Sequence, residues 1–126
     1  MELNELLKFI EMEDKRLIER FGSSNIKERI LSRTVKLMEE LGELSNEILA
    51  FNDDQRKEKL ENYNKDNLEN EFADVFIVLL LLARAMNINI IDAVDKKSEK
   101  IKMRYQAWNL KPVHYVWKKN AIVRNW

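Results

Sequence analysis

Glycine occurs twice and proline once in 126 residues, so little in this chain interrupts a helix, where each Gly costs about 1 kcal/mol and each Pro about 3. Apolar residues return among charged ones at steps of three and four, the period of an amphipathic helix and not of a strand. The expected class is all-α. A first helix is predicted over residues 2–21, with Leu3, Leu6, Leu7, Ile10, Leu17, Ile18 and Phe21 on one stripe. It ends at Gly22-Ser23-Ser24-Asn25, where Gly supplies a C-terminal stop and the polar residues cap the next helix. A second is predicted over 26–51, carrying Ile30, Leu37, Leu41, Leu44 and Ile48 on one side. Asn52 to Asp66 is strongly charged without a sustained apolar face, which predicts a surface loop with room for one helical turn and makes it a candidate lid. A third helix, about 67–87, is apolar on nearly every side between Val75 and Ala83, which predicts burial among several helices, including those of another subunit. After the turn at Asn87-Ile88-Asn89, a fourth helix is predicted from Ile90 to about Trp108, before Pro112. There is no internal repeat.

A chain of 15.1 kDa fits one domain. The helical domain is expected over 1–110, followed by a tail, 111–126, that is rich in aromatic and basic residues and holds the sole histidine, His114. Packing on a partner subunit is one reading of that tail. Lys plus Arg number 22 and Asp plus Glu 22, so no net field favours a long nucleic acid or an anionic membrane. The absence of cysteine excludes disulfides and thiolate metal sites and fits a reducing compartment. The opening MELNELLKFIEMEDK lacks the regions of a secretory signal. The apolar run Val75–Ala83 falls well short of the roughly 20 residues that span a bilayer. The expectation is a soluble, cytoplasmic protein.

Two pairs of acids carry the chemistry. At about 100° per residue, Glu40 and Glu43 face the same way within one helical turn, and Glu71 and Asp74 repeat the spacing. Val75, Val78 and Leu82 share the side of Glu71 and Asp74, so these carboxylates point along an apolar face. Carboxylates clustered on adjacent core helices take up protons or bind cations, because an unpaired buried charge loses several kcal/mol of hydration. Oxygen donors without His or Cys suit Mg2+, with Mn2+ as a substitute. A single pair at this spacing is more often solvated or ion-paired; two pairs on neighbouring helices, both beside apolar stripes, favour the metal.

These residues stand in two segments, KLMEELGELSNEI at 36–48 and ENEFADVFIVLLLLARAMNINIIDAV at 69–94, that closely resemble the MazG-like branch of the all-α nucleoside triphosphate pyrophosphohydrolases. The family pattern EExxE, a variable spacer, then ExxD, matches Glu39, Glu40, Glu43, Glu71 and Asp74. The resemblance covers about 28–105 and implies a four-helix-bundle core, magnesium dependence and assembly as a homodimer or homotetramer. It implies that Glu40, Glu43, Glu71 and Asp74 bind magnesium, with Glu40 or Glu43 orienting or deprotonating the attacking water. Glu39 completes the motif but sits about 100° from Glu40, leaving a helix-surface role open. Glu47, one turn beyond Glu43, either supports the ligands or is a solvated acid. KKSEKIKMRY at 96–105 resembles the family's basic segment, with Lys97 and Arg104 in the matching places. Lys97, Lys100 and Arg104 form one cationic face suited to a triphosphate, or a basic helix terminus. Ile101 stands where the family usually has Asn.

The implied reaction is hydrolysis of a nucleoside triphosphate to monophosphate and pyrophosphate, with noncanonical or deoxynucleotides among the substrates and nucleotide-pool house-cleaning as the role. No phosphate loop and no cysteine nucleophile support another route. Phe51, Tyr105 and Trp108 either stack on a base or close the core. The alternatives are a noncatalytic helical oligomerisation module, whose acids pair with Lys or Arg across an interface, and phosphoribosyl-ATP pyrophosphohydrolase.

Overall fold

The helix signals in the sequence are realised nearly residue for residue. The structure, a computed structural model, describes residues 1–22, 25–61 and 64–107. It is all-α: α1 Leu3–Phe21, α2 Ile26–Phe51, a single turn α3 Lys57–Leu60, α4 Lys65–Ala85 and α5 Ile90–Ala107. The expected loop over 52–66 thus holds one helical turn, and the third long helix begins two residues earlier than its apolar stripe suggests, at Lys65. His114, Trp108 and the tail 111–126 lie outside the described residues.

Each boundary has a local cause. Glu5 reaches back to accept the Glu2 main-chain N–H at 2.9 Å, satisfying a donor that has no intrahelical partner. Gly22, at φ 65°, closes α1 in the left-handed conformation and donates its N–H to the Ile18 carbonyl at 2.9 Å, a position that penalises any residue with a Cβ. Asn25 caps α2 by accepting from Lys27 N–H at 2.9 Å, and Asn64 caps α4 by accepting from Asp66 N–H at 3.0 Å. Two residues beyond the end of α4, Asn87 turns the chain at a positive φ of 55°, a conformation that Asn tolerates better than most residues.

The chain divides into two compact units, Met1–Asn89 and Ile90–Trp126. In the first, α2 packs chiefly on α4, and α1 lies against α4 as well. Ile10, Leu44, Leu80, Leu81 and Ala83 are among the buried apolar side chains. Burial of α4 is uneven: Leu80, Leu81, Ala83 and Ala85 are buried, while Phe72, Phe76 and Leu79 are exposed. Its all-round apolar character therefore exceeds what these helices cover.

A charged cluster ties the three long helices of this unit together. Arg33 on α2, only 8% exposed, donates from Nη1 to the Leu81 carbonyl of α4 at 2.7 Å and from Nη2 to Asp14 of α1. Arg84 of α4 donates from Nε to the other oxygen of Asp14 at 3.0 Å. A guanidinium and a carboxylate removed from water hold their positions only with such partners on every side. The second unit contains α5, whose Lys97, Lys100, Ile101 and Arg104 are exposed. No single helix among the described residues is long and apolar enough to cross a membrane.

Candidate metal centre

α2 carries Glu40 and Glu43 one turn apart, and α4 carries Glu71 one turn before Asp74. Because these two helices pack together, one carboxylate oxygen from each of Glu40, Glu43 and Glu71 falls within 4.8 Å of the others. Glu40 is buried, Glu71 half-buried and Glu43 exposed, so the trio runs from the core to the surface. Asp74 is exposed and stands beside this trio, not within it.

The trio is electrostatically frustrated as it stands. Glu71 Oε2 is buried without a hydrogen-bond partner. Burial pushes the Glu71 carboxyl above its ordinary value, and the charges of Glu43, Asp74, Glu40 and Glu47 push it the same way. Among the described residues no salt bridge reaches Glu43, Glu71 or Asp74. A carboxylate so placed is relieved by a proton or by a cation. An orphaned oxygen among converging carboxylates, with no nitrogen or sulfur donor in the trio, fits a hard divalent cation such as magnesium or manganese.

Of the trio, Glu40 alone has a cationic partner among the described residues. Lys36, one turn back on α2, places Nζ 2.7 Å from Glu40 Oε1 and 3.0 Å from Glu39 Oε2. Hydrogen bonds to Glu40 and then Glu39 raise the Lys36 ammonium above the ordinary lysine range, so it stays charged. Glu39 itself is exposed and faces this lysine. The i, i+4 spacing of Lys36 and Glu40 is visible in the sequence; that Lys36 thereby borders a trio completed by Glu71 of α4 is a result of helix packing.

Two recesses flank the trio. One, of about 490 Å³, lies among α1, α2 and α4, with Leu17, Ile18, Arg29, Lys36, Glu40 and Asp74 in its lining. The other, of about 390 Å³, is lined by Glu43, Glu47 and Glu71 together with Asn46, Lys59 and Asn67. Here the expected lid segment takes part: Gln55 Nε2 and Lys59 Nζ donate to Asn46 Oδ1 at 3.3 and 3.4 Å, holding the loop against α2. Glu47, half-buried, lines this second recess and acts on Glu71 through its charge.

The basic face expected of Lys97, Lys100 and Arg104 is exposed on α5, in the second unit. The Tyr105 side chain and Trp108 lie outside the described residues, and Phe51 is exposed.

Comparison with known proteins agrees with this architecture. No curated protein and no solved structure matched the chain. The MazG nucleotide pyrophosphohydrolase domain matches residues 29–108, a stretch that contains the acidic trio, Asp74, Lys36 and most of α2, all of α4 and all of α5. All-α in fold and matched over more than half its length, the chain belongs to the MazG nucleotide pyrophosphohydrolase domain family.

Proposed function

We propose that this protein hydrolyses nucleoside triphosphates between the α and β phosphates, releasing nucleoside monophosphate and pyrophosphate, with magnesium held by Glu40, Glu43, Glu71 and Asp74. The observation that carries the reading is the orphaned, buried Oε2 of Glu71 beside Glu40 and Glu43. A structural role for these acids would call for cationic partners, as in the oligomerisation alternative. Glu43 and Glu71 have none among the described residues: Lys36 serves Glu40 and Glu39, and Lys59 donates to Asn46.

Bound there, magnesium supplies charge neutralisation for phosphate oxygens and acidifies a water. The chain's own groups do the rest. Glu43, exposed at the surface end of the trio, is placed to orient or accept a proton from the attacking water, with Glu40 the second candidate for that task. Glu40, buried, is pinned by the Lys36 ammonium at 2.7 Å. Asp74, one turn along α4, completes the acidic set. Lys97, Lys100 and Arg104, exposed along α5 at i, i+3 and i+7, offer donors for the phosphates. Glu39 is engaged with Lys36, and Glu47 supports the site through its field on Glu71.

A homodimer or homotetramer belongs to the same reading. On α2, Leu31, Val35 and Met38 are each about two-thirds exposed and continue through Gly42 and Ser45 to Leu49 at alternating steps of four and three. At about 100° per residue this seam faces away from buried Arg33, Glu40 and Leu44, and such spacing suits helix-to-helix packing. Cytoplasmic nucleotide-pool house-cleaning is the role that accords with this chemistry and with a chain free of cysteine.

The test is pyrophosphate release from a panel of canonical and modified nucleoside triphosphates and phosphoribosyl-ATP, with and without magnesium, comparing wild type with Asp74→Asn and Glu43→Gln. Magnesium-dependent release that disappears in folded variants supports the proposal. No release from any substrate overturns it, and turnover of phosphoribosyl-ATP alone transfers it to that activity.

A further inference from the structure

The larger recess has a composition that the acidic chemistry does not need. Its floor is apolar, formed by Leu17 and Ile18 of α1 with Ile77, Val78 and Leu81 of α4, yet Glu40 and Asp74 belong to the same lining. At about 490 Å³ it falls within the usual range for small-molecule sites. A cavity whose polar end holds candidate metal ligands and whose body is apolar matches a molecule with a polyanionic end and a flat, weakly polar one.

Three cations of α2, Arg29, Arg33 and Lys36, line this recess in register. Two are committed. Arg33 donates to the Leu81 carbonyl and to Asp14, and Lys36 is bound to Glu39 and Glu40. Arg29 differs: its side chain forms no hydrogen bond or ion pair among the described residues, and its Nε is buried without a partner. A buried N–H without an acceptor costs free energy, and the half-buried guanidinium side chain that carries it lines the recess with no carboxylate or carbonyl of the described residues committed to it. Arg29 is also set well back from Glu40: eleven residues of helix separate them, about 16 Å along the axis.

We infer that this recess receives the nucleobase and that Arg29 selects bases presenting a keto oxygen, so that 6-oxopurine nucleotides are preferred over adenine nucleotides. The assignment rests on the reading of the acidic trio as a nucleotide site, since that places the phosphates at the Glu40 and Asp74 end. A guanidinium carries only donors. Hypoxanthine and guanine offer it O6 and N7 as a pair of acceptors, the arrangement Arg also uses on guanine edges in nucleic acids. Adenine presents an amino donor at position 6, which leaves a guanidinium N–H unanswered and costs affinity on both sides. Leu17, Ile18, Ile77 and Val78 supply the faces against which a planar base rests.

The experiment compares IMP with AMP by calorimetric titration of the full chain, and ITP with ATP by pyrophosphate release, in wild type, Arg29→Ala, Arg29→Lys and Val78→Trp. Wild type should favour IMP and ITP on the order of 10- to 100-fold. Arg29→Ala and Arg29→Lys should both erase the preference, because lysine restores the charge but not the paired planar donors. Val78→Trp, filling the recess, should weaken binding of both monophosphates. Equal affinity of wild type for IMP and AMP, a preference that survives in Arg29→Ala, or full recovery by Arg29→Lys would each overturn the assignment; the last would mark Arg29 as a charge for phosphate. Absence of pyrophosphate release in wild type defeats the hydrolase reading alone, and the titrations then decide the recess by themselves.

Discussion

The Arg33 guanidinium on α2 donates to the main-chain carbonyl of Leu81 on α4 at 2.7 Å. Its other terminal nitrogen binds Asp14, so a single side chain fastens α1, α2 and α4. Glu40 lies two turns further along α2 and Asp74 two turns earlier along α4. The angle at which the two acidic helix segments meet is thus set partly by an ionic cluster outside the acidic trio.

Removing Asp14 strands Arg33, which is 8% exposed, and Asp14→Ala is expected to cost about 3 kcal/mol, the scale for breaking a buried pair from one side. Urea unfolding at pH 7 measures this directly. Burial by itself raises the Asp14 carboxyl, but hydrogen bonds and charges from Arg33 and Arg84 outweigh it and hold the group below its ordinary value. A carboxyl depressed in the folded state contributes stability above its unfolded value, about 3.9, and loses it as pH falls through the folded one. Wild type and Asp14→Asn should therefore differ at neutral pH and converge in acid; a constant gap down to pH 2 would contradict the pairing.

Glu71→Gln should move stability and metal response in opposite directions. In the metal-free protein it removes one of several like charges crowded around Glu43 and Asp74, a gain on the order of 1 kcal/mol. Differential scanning fluorimetry should show a higher melting temperature without metal. Magnesium is expected to raise the wild-type melting temperature further through binding to the folded state, and this rise should be lost in the variant, together with pyrophosphate release.

Lys36 occupies the electrostatic place that a second cation would fill at Glu40. Lys36→Ala is expected to lower the magnesium concentration needed for half-maximal binding by about threefold, the scale of a half-exposed ion pair. Calorimetric magnesium titration reads this out. An unchanged or higher midpoint would show that the lysine helps to arrange the ligands instead of competing with the ion.

The exposed seam on α2 predicts a mass of two or four chains by light scattering. Val35→Glu with Met38→Glu, both at exposed positions, should leave the helical circular dichroism intact while shifting the mass to one chain. Wild type that scatters as a monodisperse monomer at micromolar concentration would remove the basis for this seam as an interface.

Much of this protein was decided locally and could be read without coordinates. Scarce Gly and Pro, the three-to-four step of Ile10, Leu44 and Leu81 with their neighbours, and the stops and caps at Gly22, Asn25 and Asn87 depend on backbone geometry within a few residues. The helices accordingly begin and end where those residues direct. The pairing of Glu40 with Glu43 and of Glu71 with Asp74 is likewise a consequence of helical pitch. What the pitch leaves open is distance across helices. Packing of α2 on α4 brought Glu71 to Glu40 and Glu43 while leaving Asp74 beside them, stranded one oxygen of Glu71 without a donor, and set Arg29 in a cavity wall without a partner. The bridge from Asp14 to Arg33 and Arg84 joins residues 19 and 70 positions apart. No periodicity encodes such a contact, because it exists only once side chains from separate helices have been taken out of water together.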